Sequence, residues 1–187
     1  GIVRRSDGLT PASFAEVGVF TAAGAAGFTV ADVEGRYRHE TVPLGEFTVE
    51  VFDAATAGHA LATGRIDLDR QEVPVNIILE APGVVRGRVV EAGTLAPLKG
   101  LNVTVLQAPY ANGTPRVWQV TSGVDGGFAV PGVAPGAFTV TAAAASADGM
   151  WLLGTGSVEG VLTRAAEAEV TVIITDFRAA TGRVMGR

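Results

Sequence analysis

Short stretches in which apolar side chains recur at every second position fill this chain, and glycine, proline or aspartate closes off nearly every one. Val103, Val105 and Gln107 share one face of such a stretch, while Asn102, Thr104 and Leu106 share the other. Val170, Val172 and Ile174 alternate in the same way. A two-residue period predicts β-strands with one face buried. No segment sustains the 3.6-residue period of an amphipathic helix; residues 161–168 offer at most one helical turn ahead of a strand. In the second half the pattern predicts seven strands, at 84–91, 101–107, 116–121, 127–130, 137–143, 152–158 and 169–175. Asp125-Gly126-Gly127 and Glu34-Gly35 stand where a tight hairpin turn requires positive φ, and Phe128 and Tyr37 follow as the first large inward residues. Pro135-Gly136 marks a further turn, after which Phe138 and Val140 re-enter the core.

The pattern occurs twice. At a shift of 86 residues Gly1-Ile2-Val3 falls on Gly87-Arg88-Val89, Pro11 on Pro97, and Val17-Gly18-Val19 on Val103-Thr104-Val105. At a shift of 91, Gly35-Arg36-Tyr37 falls on Gly126-Gly127-Phe128, and Gly45-Glu46-Phe47-Thr48-Val49 on Gly136-Ala137-Phe138-Thr139-Val140. At 95, Val75-Asn76-Ile77-Ile78-Leu79 meets Val170-Thr171-Val172-Ile173-Ile174, and Gly87-Arg88-Val89 meets Gly182-Arg183-Val184. A shift that grows in small steps is what loop insertions between fixed strands produce. The expected organisation is one sandwich at 1–81, a second at 82–177, and at 178–187 either the first strand of a third copy or a strand exchanged between subunits. Two stacked sheets bury one face of seven short strands, so the fold expected is all-β, two tandem seven-stranded Ig-like or prealbumin-like β-sandwiches. A short linker, 80–83, joins them and suggests a stiff end-to-end rod.

Composition narrows what such a chain does. The 187 residues are 48% hydrophobic, with 25 glycines, 9 prolines and only 18% charged residues. Cysteine is absent, which removes disulfides, thiolate catalysis and cysteine-based zinc sites together. The net charge of −5, with Lys99 the single lysine, disfavours binding to a phosphate backbone. The uncharged stretch 126–147 carries Pro131, Pro135 and four glycines, so it reads as strands and turns, without membrane insertion. Gly1-Ile2-Val3-Arg4-Arg5 lacks the apolar run of a secretory signal.

The repeated residues resemble the carboxypeptidase regulatory-like module, a prealbumin-like or Ig-like sandwich. Its G-x-V strand, proline, V-x-V, D-x-G-x-F and P-x-G-x-F-x-V stand here as Gly87-Arg88-Val89, Pro97, Val103-Thr104-Val105, Asp125-Gly126-Gly127-Phe128 and Pro135-Gly136-Ala137-Phe138-Thr139-Val140. The first copy departs with Glu34 for the turn aspartate and Leu44 before Gly45. The resemblance implies modules arrayed in large bacterial surface or secreted proteins, with no peptidase residues of their own. Related sandwiches form Lys–Asn cross-links; the first copy has no lysine and Lys99 falls in a loop, so none is expected here.

Few residues carry chemistry. His39 and His59 lack a second imidazole at ligand spacing and read as solvated strand-end and loop residues. Asp67 and Asp69 read as an acidic strand face. Gly154-Thr155-Gly156-Ser157-Val158 has the look of a phosphate loop without its lysine or its helix. Tyr110, Trp118 and Trp151, all in the second copy, are candidates for stacking against a sugar ring or for packing. Gly35, Tyr37, Gly45, Phe47, Asp125, Gly126, Phe128, Gly136 and Phe138 are expected to be turn and core residues. The leading expectation is a non-enzymatic spacer of an extracellular or cell-surface assembly, requiring no cofactor or metal. Neighbouring modules or identical subunits are its expected partners. Two others stand beside it: an adhesion module that binds a glycan or protein, and a fibre subunit that assembles by adding its C-terminal strand to a neighbour.

Overall fold

Alternating apolar residues bounded by turn glycines produce thirteen strands in the computed structural model, which describes residues 1–107, 115–145 and 152–175. No helix occurs among these residues. The first half contributes β1 (Val3–Arg4), β2 (Glu16–Thr21), β3 (Gly24–Val30), β4 (Gly45–Asp53), β5 (Gly58–Ile66) and β6 (Ile77–Ile78). The second contributes β7 (Gly83–Glu91), β8 (Asn102–Gln107), β9 (Arg116–Thr121), β10 (Gly127–Val133), β11 (Gly136–Ala145), β12 (Leu152–Leu162) and β13 (Glu167–Ile174). β12 runs on to Leu162 and β13 begins at Glu167, so residues 161–168 are two strand ends and a turn rather than a helical turn.

The strands form β-sandwiches. In the second half a four-stranded sheet of order β12-β11-β8-β9 packs against a three-stranded sheet of order β10-β7-β13, in which β13 runs parallel to β7. In the first half the four-stranded sheet has order β3-β2-β4-β5 and faces the parallel pair β1-β6. The counterpart of β10 is reduced there to a single antiparallel bridge, Ile2↔Arg36.

Register repeats residue for residue. Val3 pairs with Ile77 as Val89 pairs with Val172. Val17 faces Val51 as Val103 faces Ala142, and Arg4 bridges Pro11 as Val90 bridges Pro97. The strand period lets one register satisfy both halves, because a one-residue slip would turn every buried valine outward. Phe47 lies opposite Gly64 and Phe138 opposite Gly160. A Cβ added at Gly64 or Gly160 would stand 2.3 or 2.4 Å from the facing ring, so each phenylalanine fills the space its glycine leaves.

Two separate cores result. Val3, Val17, Val19, Phe47, Val49, Val51, Ile77 and Leu79 belong to the first, and Val85, Val89, Val103, Val105, Phe138, Val140, Val172 and Ile174 to the second. The halves meet at the linker, where the Arg164 guanidinium donates to the Ser6 carbonyl at 2.7 Å. Ala165 N–H donates to the Ala81 carbonyl at 3.3 Å, and the Arg116 guanidinium lies 4.6 Å from the centre of the Phe52 ring.

Candidate functional site

An open groove of about 880 Å³ lies at the end of the first sandwich remote from the linker. One wall is the irregular segment 37–42 that follows the Gly35 turn, and the other is 72–76, which leads into β6. Val19, Phe47 and Val49 of the four-stranded sheet form its floor. At its inner end Gly1 is clamped between backbone and ring: a Cβ there would lie 1.9 Å from the Val75 carbonyl oxygen and 2.7 Å from the Tyr37 ring. Gly87 is held in the same way between Val170 and Phe128.

Polar bonds hold the inner end where the regular ladder stops. Tyr37 Oη donates to the Val75 carbonyl at 2.7 Å and joins the two walls. Ile2 N–H donates to Asn76 Oδ1 at 3.0 Å. Outside, Arg38 lies 3.4 Å from Glu40 and 3.6 Å from Glu72; all three side chains are exposed, so these pairs stabilise little. Burial pushes the Tyr37 hydroxyl up to about 12 from an ordinary 10. A phenol whose pKa is raised by folding contributes stability that is complete below pH 10 and lost as pH rises through about 12. Titrating phenolate absorbance of the native chain beside its Tyr37→Phe variant should therefore remove a late-ionising tyrosine. The alkaline loss of stability should become shallower in the variant.

Asp53, Glu50 and His59 are buried polar residues at the opposite end of this sandwich. Asp53, 2% exposed, closes β4. Its carboxylate accepts from Arg5 Nε at 3.0 Å, Ala55 N–H at 3.0 Å and Thr56 Oγ1 at 2.9 Å. Removing one partner of a buried, charge-assisted set leaves the others without their acceptor, which costs about 1.5–3 kcal/mol. Asp53→Ala should lower the urea midpoint accordingly, with little change from Asp67→Ala, whose carboxylate is exposed. His59, only 7% exposed, sits on β5 with Nε2 3.1 Å from Glu50 Oε1. It is thus a buried strand residue and not the solvated residue its sequence context suggests. It lies opposite Phe52 of β4, and its backbone exchanges both hydrogen bonds with Glu80 at the linker.

The other candidates are dispersed. His39 is half-buried on the groove wall with its ring under Gly27, and its Nδ1 is buried without a hydrogen-bond partner. Asp67 and Asp69 lie beyond the end of β5 in a turn, not on a strand, because Asp67 accepts from Arg65 Nε at 2.6 Å and Gln71 Oε1 accepts the Asp67 and Leu68 amides. Gly154 to Ser157 run within β12, and a Cβ at Gly156 would stand 2.3 Å from the Ile173 carbonyl. That glycine permits close approach of two strands rather than cradling a phosphate. Lys99 is exposed in the loop before β8. Trp118 lies on β9 opposite Val105, half-buried against the second core. Tyr110, Trp151 and the 178–187 segment lie outside the described residues. Among those described, no group of three metal-ligating side chains converges. The groove is not legible in the sequence, because its walls, 37–42 and 72–76, are distant along the chain.

No family model matches the chain, and no curated protein does. A solved structure shares its fold, and others align with it at lower TM-scores. The minor pilin GBS52 of the Gram-positive pathogen Streptococcus agalactiae aligns over 95% of this chain and 88% of its own, with a TM-score of 0.57 at 13% identity. A streptococcal ancillary pilin aligns over 93% of this chain, with a TM-score of 0.48 at 15% identity, and this chain spans 61% of its length. The shaft pilin SpaA of Lactobacillus rhamnosus GG aligns over 93% and 96% of the two chains, with a TM-score of 0.33 at 11% identity.

Proposed function

We propose that this chain is a structural segment of a bacterial cell-surface fibre, made of tandem sandwiches at 1–81 and 82–177 and acting through shape and packing without a reaction of its own. The observation that carries this reading is what the halves have in common. They repeat register, turn glycines and the ring-over-glycine pairs, whereas Glu50–His59, Arg5–Asp53 and Trp118 each occur once. A recognition or catalytic duty performed by every module would repeat its polar groups, while a spacer needs only the packing. The shared fold with a minor pilin over 95% of the chain agrees with this at the level of architecture. Neighbouring modules or further copies of the chain are then its partners, and the bacterial surface its location. Antibodies raised against the purified chain, applied to intact cells and viewed by electron microscopy, should label filaments. Labelling only after the cells are broken open would overturn the reading.

A further inference from the structure

The two sandwiches share one register, so the outer faces of their four-stranded sheets compare position by position. In the second, Thr104, Gln119, Thr121 and Thr141 stand there, all polar. The matching positions in the first are Gly18, Phe28, Val30 and Glu50. Phe28 is 69% and Val30 56% exposed. The Phe28 ring meets the Phe20 ring edge-on at 5.6 Å and lies over Gly18, where an added Cβ would stand 3.1 Å from it. The ring is thus held on the sheet while most of its surface meets solvent.

Both exposed residues belong to β3, the edge strand of its sheet. Ala31 N–H donates to the Ala15 carbonyl at 2.9 Å, and its carbonyl accepts from Phe14 N–H at 3.1 Å, both on the β2 side. Backbone groups of an antiparallel strand alternate between its two sides, so Phe28 and Val30 turn their N–H and C=O to the open side. The one irregularity of the ladder falls between Ala25 and Gly27 and leaves Phe28 to Val30 regular. Open edges are ordinarily guarded by a charge, a proline or short length. β5 carries Arg65, β9 Arg116, β12 Glu159, β10 Pro131 and β13 Glu167, while β1 and β6 are two residues long. β3, Gly24-Ala25-Ala26-Gly27-Phe28-Thr29-Val30, has none of these guards.

We propose that β3 of a second copy adds antiparallel to this edge, with Thr29 on the two-fold axis and Phe28 opposite Val30 of the second copy. The proposal rests on the fibre reading for its partner, further copies of the chain, and names a contact between them. The register follows from the outward residues: Phe28 opposite Val30, twice over, satisfies both sets of backbone groups and joins two four-stranded sheets into one. On the outer face it sets an aromatic ring beside a β-branched chain twice, a favourable cross-strand pair. The occupant follows from charge. Among the described residues, β3 is the one edge strand longer than two residues that brings neither charge nor proline to this edge. Both copies use the same patch, so the contact closes as a pair. A few paired residues bury less than the roughly 1,200–2,000 Å² of stable interfaces. The contact is therefore weak in dilute solution and suited to copies already held side by side.

The test uses the full chain, which has no cysteine. Thr29→Cys should give covalent dimers under oxidation and nothing larger. Gln119→Cys, at the position in β9 that matches Phe28, should cross-link at least about tenfold more slowly. Phe28→Lys charges the edge and should weaken the concentration-dependent rise in mass, read by light scattering, about tenfold or more. Added to Thr29→Cys, it should slow cross-linking to the rate of Gln119→Cys. Val30→Lys leaves the Phe20–Phe28 contact alone and should repeat the result if Phe28→Lys disturbs folding. Equal rates in the two cysteine variants, or association undiminished by either lysine, would overturn the proposal. A chain monomeric at every concentration would also overturn it and would leave this edge to a strand of another protein. Labelling of intact cells bears on the fibre reading alone, and its failure leaves the cross-linking outcome to decide the β3 contact.

Discussion

Phe138→Ala should unfold the second sandwich at much lower urea while leaving the first nearly where it was. Phe138 is 3% exposed at the centre of the second core, and its ring covers Gly160 on the neighbouring strand. Truncation removes the buried ring and exposes the space above a residue with no side chain to fill it. Phenylalanine-to-alanine changes of this kind cost about 3–5 kcal/mol, a large share of the roughly 5–15 kcal/mol that holds a domain together. The first core contains no residue of the second, so the loss should be confined to one transition. Phe47→Ala, beneath Gly64, should do the converse. Two transitions that respond separately to the two variants would support 1–81 and 82–177 as independent modules. A single transition lowered equally by both would refute that division.

The second large effect is expected at the turn glycines. Gly126 has φ of +73° and Gly35 of +77°. A Cβ would lie 2.5 Å from the Val89 carbonyl at Gly126, and 2.4 Å from the Val3 carbonyl at Gly35. Val89 lies on the central strand of its three-stranded sheet and Val3 on the parallel pair, and neither strand can move without breaking its pairing with β13 or β6. Gly126→Ala therefore combines the left-handed penalty of about 1–2 kcal/mol with a backbone clash, and about 3 kcal/mol or more in total is expected. Gly93→Ala is the comparison, because Gly93 has φ of +88° with nothing within 4 Å of an added Cβ. It should show the dihedral cost alone. Equal losses at the two positions would mean that the close approach contributes nothing.

These expectations rest on features that were legible in the sequence. Gly35, Gly45, Gly126 and Gly136 have positive φ, Phe47, Phe128 and Phe138 belong to the cores, and Tyr37 packs against the first of them. The reason is that local rules act at these points: positive φ selects glycine, and a two-residue period selects one face. The candidate chemistry was less legible. His59 reads as exposed because its neighbours in sequence are polar or small, whereas its side chain meets Glu50 on β4 and its backbone bridges Glu80 at the linker. Asp67 and Asp69 read as one strand face, but a bend held by Gln71 ends β5 before them.

Sequence alone determined that the chain is all-β, since two-residue alternation and turn glycines follow from conformational limits on a few adjacent residues. Tertiary structure decided what those limits do not reach. The parallel pairing of β1 with β6 and of β7 with β13 brings together residues more than seventy positions apart. The buried environments of His59 and Asp53 arise from the same kind of long-range closure. So does the groove, whose walls 37–42 and 72–76 become neighbours only after the sheets have stacked.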